Sequence, residues 1–322
     1  MSENKQLVYE QRCQIYALKK TKISQQKIAD IVGVDQSTIS RELSRNTGAR
    51  GYRFVQAQNR AEKRRQEAVK ATKMTPRMIT LVESKLRKKL SPEQISGWLL
   101  EEKEELLSHE TIYQHVWADK AAGGNLYTEL RHRGKANQPR GKSQAGRGHI
   151  KNRVSIDERP KIVDAKERIG DWEIDLVIGK GHSGALVTIV DRATSFTVSK
   201  RINNKKAQTV TDATIDLLKP FKGAVFTITA DNGKEFAYHE QMTKALGAQV
   251  YFADPYCSWQ RGLNENTNGL LRQYWPKNTD FKKVSAREVK AVIVQLNKRP
   301  RKKLGFKTPR RLMENHMAAI AA

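Results

Sequence analysis

The sequence predicts an α/β domain built on a mixed five-stranded sheet, preceded by all-α units of the helix-turn-helix kind. Three observations lead there. From residue 170 onward, apolar segments alternate at a period of two, three in succession and then two more separated by helical patterns. Over the first 130 residues the apolar spacing is that of helices, interrupted by capping signals. The 322 residues also carry 60 Lys and Arg against 34 Asp and Glu, a formal charge of +26. A surplus of that size is natural for a partner of phosphates.

The first unit is expected over residues 1–60. Within it, ISQQKIADIVGVDQSTISRELSRN has helix-turn-helix spacing. Ile28, Ile31 and Val32 form the apolar face of one helix. Gly33 allows the tight turn, and Asp35 or Ser37 caps the next helix. Ile39 and Leu43 anchor that second helix. Gln36, Ser37, Thr38, Ser40, Arg41 and Arg45 are left to point outward with a single acid, Glu42. Short polar and arginine side chains of this kind can read base edges and hold phosphates. An ordinary helical hairpin is the plainer reading, and the outward composition weighs against it.

A second helical unit is expected over residues 61–128, beginning with a charged helical connector that ends at Thr75-Pro76. Ser91-Pro92-Glu93-Gln94 is a helix start with a Ser cap, Pro in the first turn and Gln closing the box. Ser108 caps a further helix, with Ile112 and Val116 inward and Glu110, Thr111 and Gln114 outward. The acidic turn EEKEE would face phosphates badly. Residues 129–165 read as a basic arm. Between 131 and 153 there are eight Lys or Arg and no acid, a composition that buries no core by itself. Arg131, Arg133, Arg140 and Arg147 are its arginine candidates for DNA contact.

The α/β domain fills residues 166–322. DWEIDLVIG, ALVTIVD and SFTVSKRI read as three strands joined by the turns GKGHSG and RAT. AQTVTDATIDLLKP is an amphipathic helix, AVFTITAD a fourth strand, EFAYHEQMTKALG a helix and AQVYFAD a fifth strand. A helix from Arg261 to Trp275 follows, with Leu263, Thr267, Leu270, Leu271 and Tyr274 as its buried stripe. Arg261, Glu265, Asn268 and Arg272 share another face. SAREVKAVIVQLNKRP adds a capped helix, and the tail turns basic again.

Carboxylates close several of these apolar segments. Alternation places Trp172, Ile174 and Leu176 on one face of the first strand and Asp171, Glu173 and Asp175 on the other. Asp231 ends the fourth strand before Asn232-Gly233, where a turn residue is the common reading. Glu265 alone would be an i,i+4 ion pair. Together, acids from two strands and a helix make an oxygen set suited to Mg²⁺ or Mn²⁺. Two such ions about 3.5–4 Å apart can activate a nucleophile and stabilise the leaving oxygen of a phosphodiester.

The strings Trp172–Asp175 (W-E-x-D), Thr229–Phe236 (T-A-D-N-G-K-E-F) and DPYCSWQRGLNENTNGLLRQYWPK resemble the DDE transposases of the insertion-sequence-30 family. So do Leu296–Arg301, Thr308-Pro309, SPEQISGWL and SHETIYQHV, so the resemblance runs over nearly the whole chain. It implies a ribonuclease H-like catalytic fold with Asp175, Asp231 and Glu265 as catalytic, metal-binding triad. The 33 residues between Asp231 and Glu265 fit the family's pattern. Two metal ions per site are expected, with Asp175 bridging both. Because one site per chain must act at two element ends, a homodimer or larger complex on double-stranded DNA is expected too. The element's terminal inverted repeats and the target would be the DNA partners. Arg261, Asn264, Asn268 and Arg272 would orient the Glu265 helix and contact phosphates. Glu173 reads as structural, Glu235 as a helix-start acid and Asp191 as a turn residue.

Other chemistries fit poorly. GKGHSG lacks the spacing of a phosphate loop, and His109-Glu110 with His115 is not H-E-x-x-H. Two cysteines, Cys13 and Cys257, make neither a disulfide framework nor a zinc set. No run approaches a membrane span and the N-terminus has no signal-peptide core, so the expected setting is the cytoplasm, without membrane contact. Two rivals share the basic arms: a DNA-binding regulator with an inactive nuclease fold, and a nuclease that cuts without joining.

Overall fold

A computed structural model describes residues 6–67, 73–131, 150–255 and 257–321. The chain divides into two compact units, Met1–Thr72 and Lys73–Ala322.

The first unit packs four helices: α1 (Tyr9–Lys20), α2 (Gln25–Val32), α3 (Gln36–Asn46) and α4 (Phe54–Glu67). It therefore runs past the boundary expected at residue 60. Gly33 takes φ +74° at the end of α2, and the Asp35 carboxylate caps α3 by accepting the Ser37 N–H. Ile15, Ile28, Ala29, Ile39, Leu43 and Ala57 fill the core. Two sequence expectations are corrected. Ile31 is 60% exposed, and Ala29 takes the inward position. Glu42 is buried rather than outward, because it accepts from Arg12 Nε (2.9 Å) and the Tyr52 hydroxyl (3.0 Å). Burial and that neighbouring carboxylate push the Tyr52 phenol up.

In the second unit, α5 (Pro76–Arg87), α6 (Pro92–Lys103) and α7 (His109–Ala121) enclose Val82, Leu86, Ile95, Leu99, Ile112 and Val116. The caps on α6 and α7 are Ser91 and Ser108, as expected, and Ser91 forms its box with Gln94. The helix α5, started by Thr75 and Pro76, was not anticipated. Of the arm expected over 129–165, residues 150–165 are folded against the sheet. They bury Ile150, Ile156 and Val163 and include a short α8 (Ile162–Ala165). Arg133, Arg140 and Arg147 lie outside the described residues.

The sheet holds β1 (Asp171–Ile178), β2 (Ala185–Asp191), β3 (Thr197–Ile202), β4 (Thr227–Ala230) and β5 (Gln249–Phe252). Its order is β3-β2-β1-β4-β5. The first three strands form an antiparallel meander, and β1–β4 and β4–β5 pair in parallel. The expected mixed five-stranded sheet is thus present, with β1 at its centre. One face packs on α9 (Ala207–Leu218), α10 (His239–Leu246) and Met313 of α13 (Pro309–Ala321) through Trp172, Ile174, Ile189, Ile228, Val250 and Phe252. The other, through Val177 and Leu186, packs on α11 (Gly262–Leu271) and α12 (Ala286–Asn297). Apolar layers on both faces are what a partly parallel sheet requires.

Candidate active site

Because side chains alternate along β1, Glu173 and Asp175 face α11 while Trp172 and Ile174 face the opposite core. Glu173 is 1% exposed. One of its carboxylate oxygens pairs with Arg192 Nη1 at 2.5 Å and the other accepts the Asn264 N–H at 3.1 Å. The acid thus holds the first turn of α11, where backbone N–H groups lack helical partners.

Asp175 stands opposite Thr188 of β2. Its Oδ2 accepts from Asn268 Nδ2 at 2.8 Å, and the Asn268 carbonyl oxygen accepts from the Thr188 hydroxyl at 3.2 Å. Asp231 follows the last residue of the neighbouring β4, and its Oδ1 accepts the Gly233 N–H at 2.8 Å. The two aspartates converge on one guanidinium. Arg261 donates Nη2 to Asp231 Oδ2 (3.3 Å) and Nη1 to the Ile174 carbonyl (3.0 Å), with Nη1 3.6 Å from Asp175 Oδ1. Burial raises the pKa of Asp175; Arg261 opposes this, and the Asp231 charge adds to it.

The structure brings Asp175 and Asp231 together but does not gather Glu265 with them. Glu265 lies exposed on α11, between the positions of Arg261 and Asn268. Among the described residues no three His, Cys, Asp or Glu side chains form a metal-holding group. The donors that do converge suit a hard divalent ion all the same. They are carboxylate oxygens, they already share a cationic group, and Mg²⁺ commonly takes one or two protein carboxylates and completes its shell with water and substrate phosphate.

The residues of α11 and its flanks expected to meet phosphates have these surroundings within the domain. Asn264 is 1% exposed, with its side-chain polar atoms unpaired in the interior. Arg272 donates to the Ile178 carbonyl at 2.9 Å, and Arg261 and Asn268 serve the aspartates. Arg261, Asn268 and Arg272 thus each place a polar group against the sheet. Arg131 donates to Asn266 on the same helix at 2.8 Å. In the first unit Gln36, Ser40, Arg41 and Arg45 are exposed, with Ser37 and Thr38 half-buried; in the second, Gln114 is exposed and Thr111 half-buried. Arg192, Thr188 and Asn232 were not anticipated. Asn232 donates to the Ala253 carbonyl and accepts from Arg153, each at 2.5 Å, and so fixes the turn that carries Asp231. Nothing in the local pattern of ALVTIVD, RATS or TADNG marks these partners. Asp191, read as a turn residue, is a buried one that accepts from Gly170 and Thr194.

Comparison with known proteins gives a consistent result. Residues 165–258 match the model of the integrase core domain, and residues 3–46 match that of a helix-turn-helix domain. The chain is 46% identical to the transposase for insertion sequence element IS4351 of Bacteroides fragilis, over 95% of this chain and 94% of that one. It is 37% identical to transposase InsI for IS30A of Escherichia coli, covering 97% of this chain and 84% of that one. The catalytic core domain of BIV integrase matches 48% of this chain and 99% of its own, with 19% identity and a TM-score of 0.38. An integrase-like, ribonuclease H-type core joined to a helix-turn-helix module defines a protein of the transposase and integrase class. Within that class, the chain belongs to the insertion-sequence-30 family of transposases. No helix among its described residues is long and apolar enough to cross a membrane.

Proposed function

We propose that this transposase binds the terminal inverted repeats of its element, cuts a DNA strand there and joins the freed end to target DNA. In the cut, a water oxygen bonds to phosphorus and the P–O3′ bond breaks, leaving a 3′-OH and a 5′-phosphate. In the joining step that 3′ oxygen bonds to a target phosphorus and displaces the target's own 3′ oxygen. The observation that carries the reading is the convergence of Asp175 and Asp231 on Arg261, beside the helix that bears Glu265.

Asp175, Asp231 and Glu265 would hold two Mg²⁺ or Mn²⁺ ions. Such ions supply Lewis-acid polarisation of a phosphodiester and stabilise its leaving oxygen. The chain's own groups do the positioning. Glu173 fixes the start of α11, Asn268 aims the Asp175 carboxylate, and Arg261 balances the two negative charges. Gln36, Ser37, Thr38, Ser40, Arg41 and Arg45 would read or hold the element ends, with Thr111, Gln114 and the arginines around 131–147 adding contacts. Acting at two element ends would take a dimer or larger complex on DNA.

The deciding experiment is a Mg²⁺-dependent strand-transfer assay of Asp175→Asn, Asp231→Asn and Glu265→Gln. Each variant should retain end binding and lose joining. Joining retained by a purified variant would remove that residue from the triad. DNA binding by the wild type unchanged in EDTA, with no joining in Mg²⁺, would favour a regulator.

A further inference from the structure

The string Leu296–Arg301 takes no part in the site above, yet it supplies two of three arginines around a separate cavity. This cavity, of about 230 Å³, lies between the α5–α6 turn, residues 129–131, α11 and the segment after α12. Its ionisable lining is Lys89, Glu129, Arg131, Arg299 and Arg301. Lys89 and Glu129 pair with each other, which leaves three guanidinium groups.

Among the described residues their partners are all neutral. Arg299, 1% exposed, donates to the Gln273 side-chain oxygen (3.0 Å) and the Tyr274 hydroxyl (2.7 Å). Arg131 donates to Asn266. The Nε atoms of both Arg299 and Arg301 are buried without a hydrogen-bond partner. Burial, with repulsion from Arg299 and Arg131, pushes the pKa of Arg301 down to about 10. Apart from Arg299, the buried arginines among the described residues are each matched by an acid: Arg12 by Glu42, Arg159 by Asp164, Arg192 by Glu173. Arg299 is buried, Arg301 half-buried and Arg131 exposed at the cavity's rim. Unmatched charge is costly where it is buried, and three guanidiniums held only by neutral groups make a site for an anion. A tetrahedral oxyanion offers several acceptors at once, the geometry guanidinium forks favour.

We propose that this cavity binds a single phosphate group between Arg131, Arg299 and Arg301. A phosphate there neutralises the cluster and takes the open Nε donors. The group can come from a DNA backbone or from free phosphate. The DNA case rests on the transposase reading above, and it would tie a strand to α11, since Asn266 beside Glu265 lines the same cavity.

The test uses the full-length protein, purified without phosphate or sulfate. Inorganic phosphate is titrated calorimetrically at constant ionic strength into wild type, Arg301→Gln, Arg131→Gln and the surface control Lys222→Gln. The two arginine variants stand in for the fully buried Arg299, whose replacement risks misfolding. Wild type and the control should bind alike, with Arg301→Gln weaker by about tenfold or more. Duplex binding is then measured across a salt series. If DNA supplies the phosphate, each arginine variant lowers the salt slope by about 0.9, and inorganic phosphate competes. Weaker phosphate binding with an unchanged slope supports the site and assigns it to the free ion. Variants that bind phosphate like wild type and keep the wild-type slope would overturn the proposal. The readout is ion binding rather than joining, so triad variants that lose joining should still bind phosphate.

Discussion

Asp175 sits where its charge is penalised by burial and only partly relieved by Arg261. Its folded pKa is therefore above the unfolded value, and the folded state binds the proton more tightly. The ionised carboxylate costs stability above the folded pKa, and that cost disappears below the ordinary value near about 4. Asp175→Asn should accordingly raise the melting temperature at pH 8, with the gain fading as pH falls to about 4. Added Mg²⁺ should stabilise wild type more than the variant. Equal melting temperatures across that range would show that burial does not strain this group. Glu173 is the opposite case, since its charge is matched by Arg192. Removing one member of a buried pair leaves the other uncompensated, at about 3–5 kcal/mol. Glu173→Ala should therefore lower stability by that order in chemical denaturation and detach the start of α11, and Glu173→Gln should recover part of both.

The helix α11 shows what a sequence pattern reveals and what it conceals. Its apolar stripe was legible, and Thr267, Leu270 and Leu271 are buried as the spacing requires. Period identifies the face of an element, not the partner that meets it. Arg261, Asn268 and Arg272 were grouped on one face, and within the chain they meet carboxylates and carbonyls of the sheet, partners that the period alone does not reveal. Glu42 looked outward for the same reason, because the matching Arg12 lies on another helix. The strands were readable because their alternation is strong and their turns short. The helices α5 and α13 were hidden by basic composition, although Thr75-Pro76 and Thr308-Pro309 are proper starts. The turn after β4 provides a local test. A methyl at Gly233 would fall 2.6 Å from the Glu235 carboxyl carbon and 2.9 Å from Asp231 Oδ1. Gly233→Ala should thus move a carboxylate and cut strand transfer about tenfold or more, with little change in melting temperature.

At the scale of the whole chain, the two units have separate apolar cores. A fragment of residues 1–72 should fold alone, with a cooperative helical melt and salt-sensitive duplex binding. Its stability should be only a few kcal/mol, about what so small a core supplies. A non-cooperative melt by circular dichroism would show that it depends on the rest of the chain. The second unit is put together over long distances. Four hydrogen bonds tie α11 and the residues at its two ends to β1, and each joins residues 87 to 94 positions apart. During synthesis at about 5–20 residues per second, domains form in order of their appearance. The helix-turn-helix unit is therefore complete well before Arg261, Asn264, Asn268 and Arg272 leave the ribosome. Both aspartates therefore lack the helix that orders them until the last quarter of the chain is made. Under the function proposed above, the capacity to hold DNA would be complete in each molecule before the capacity to cut it.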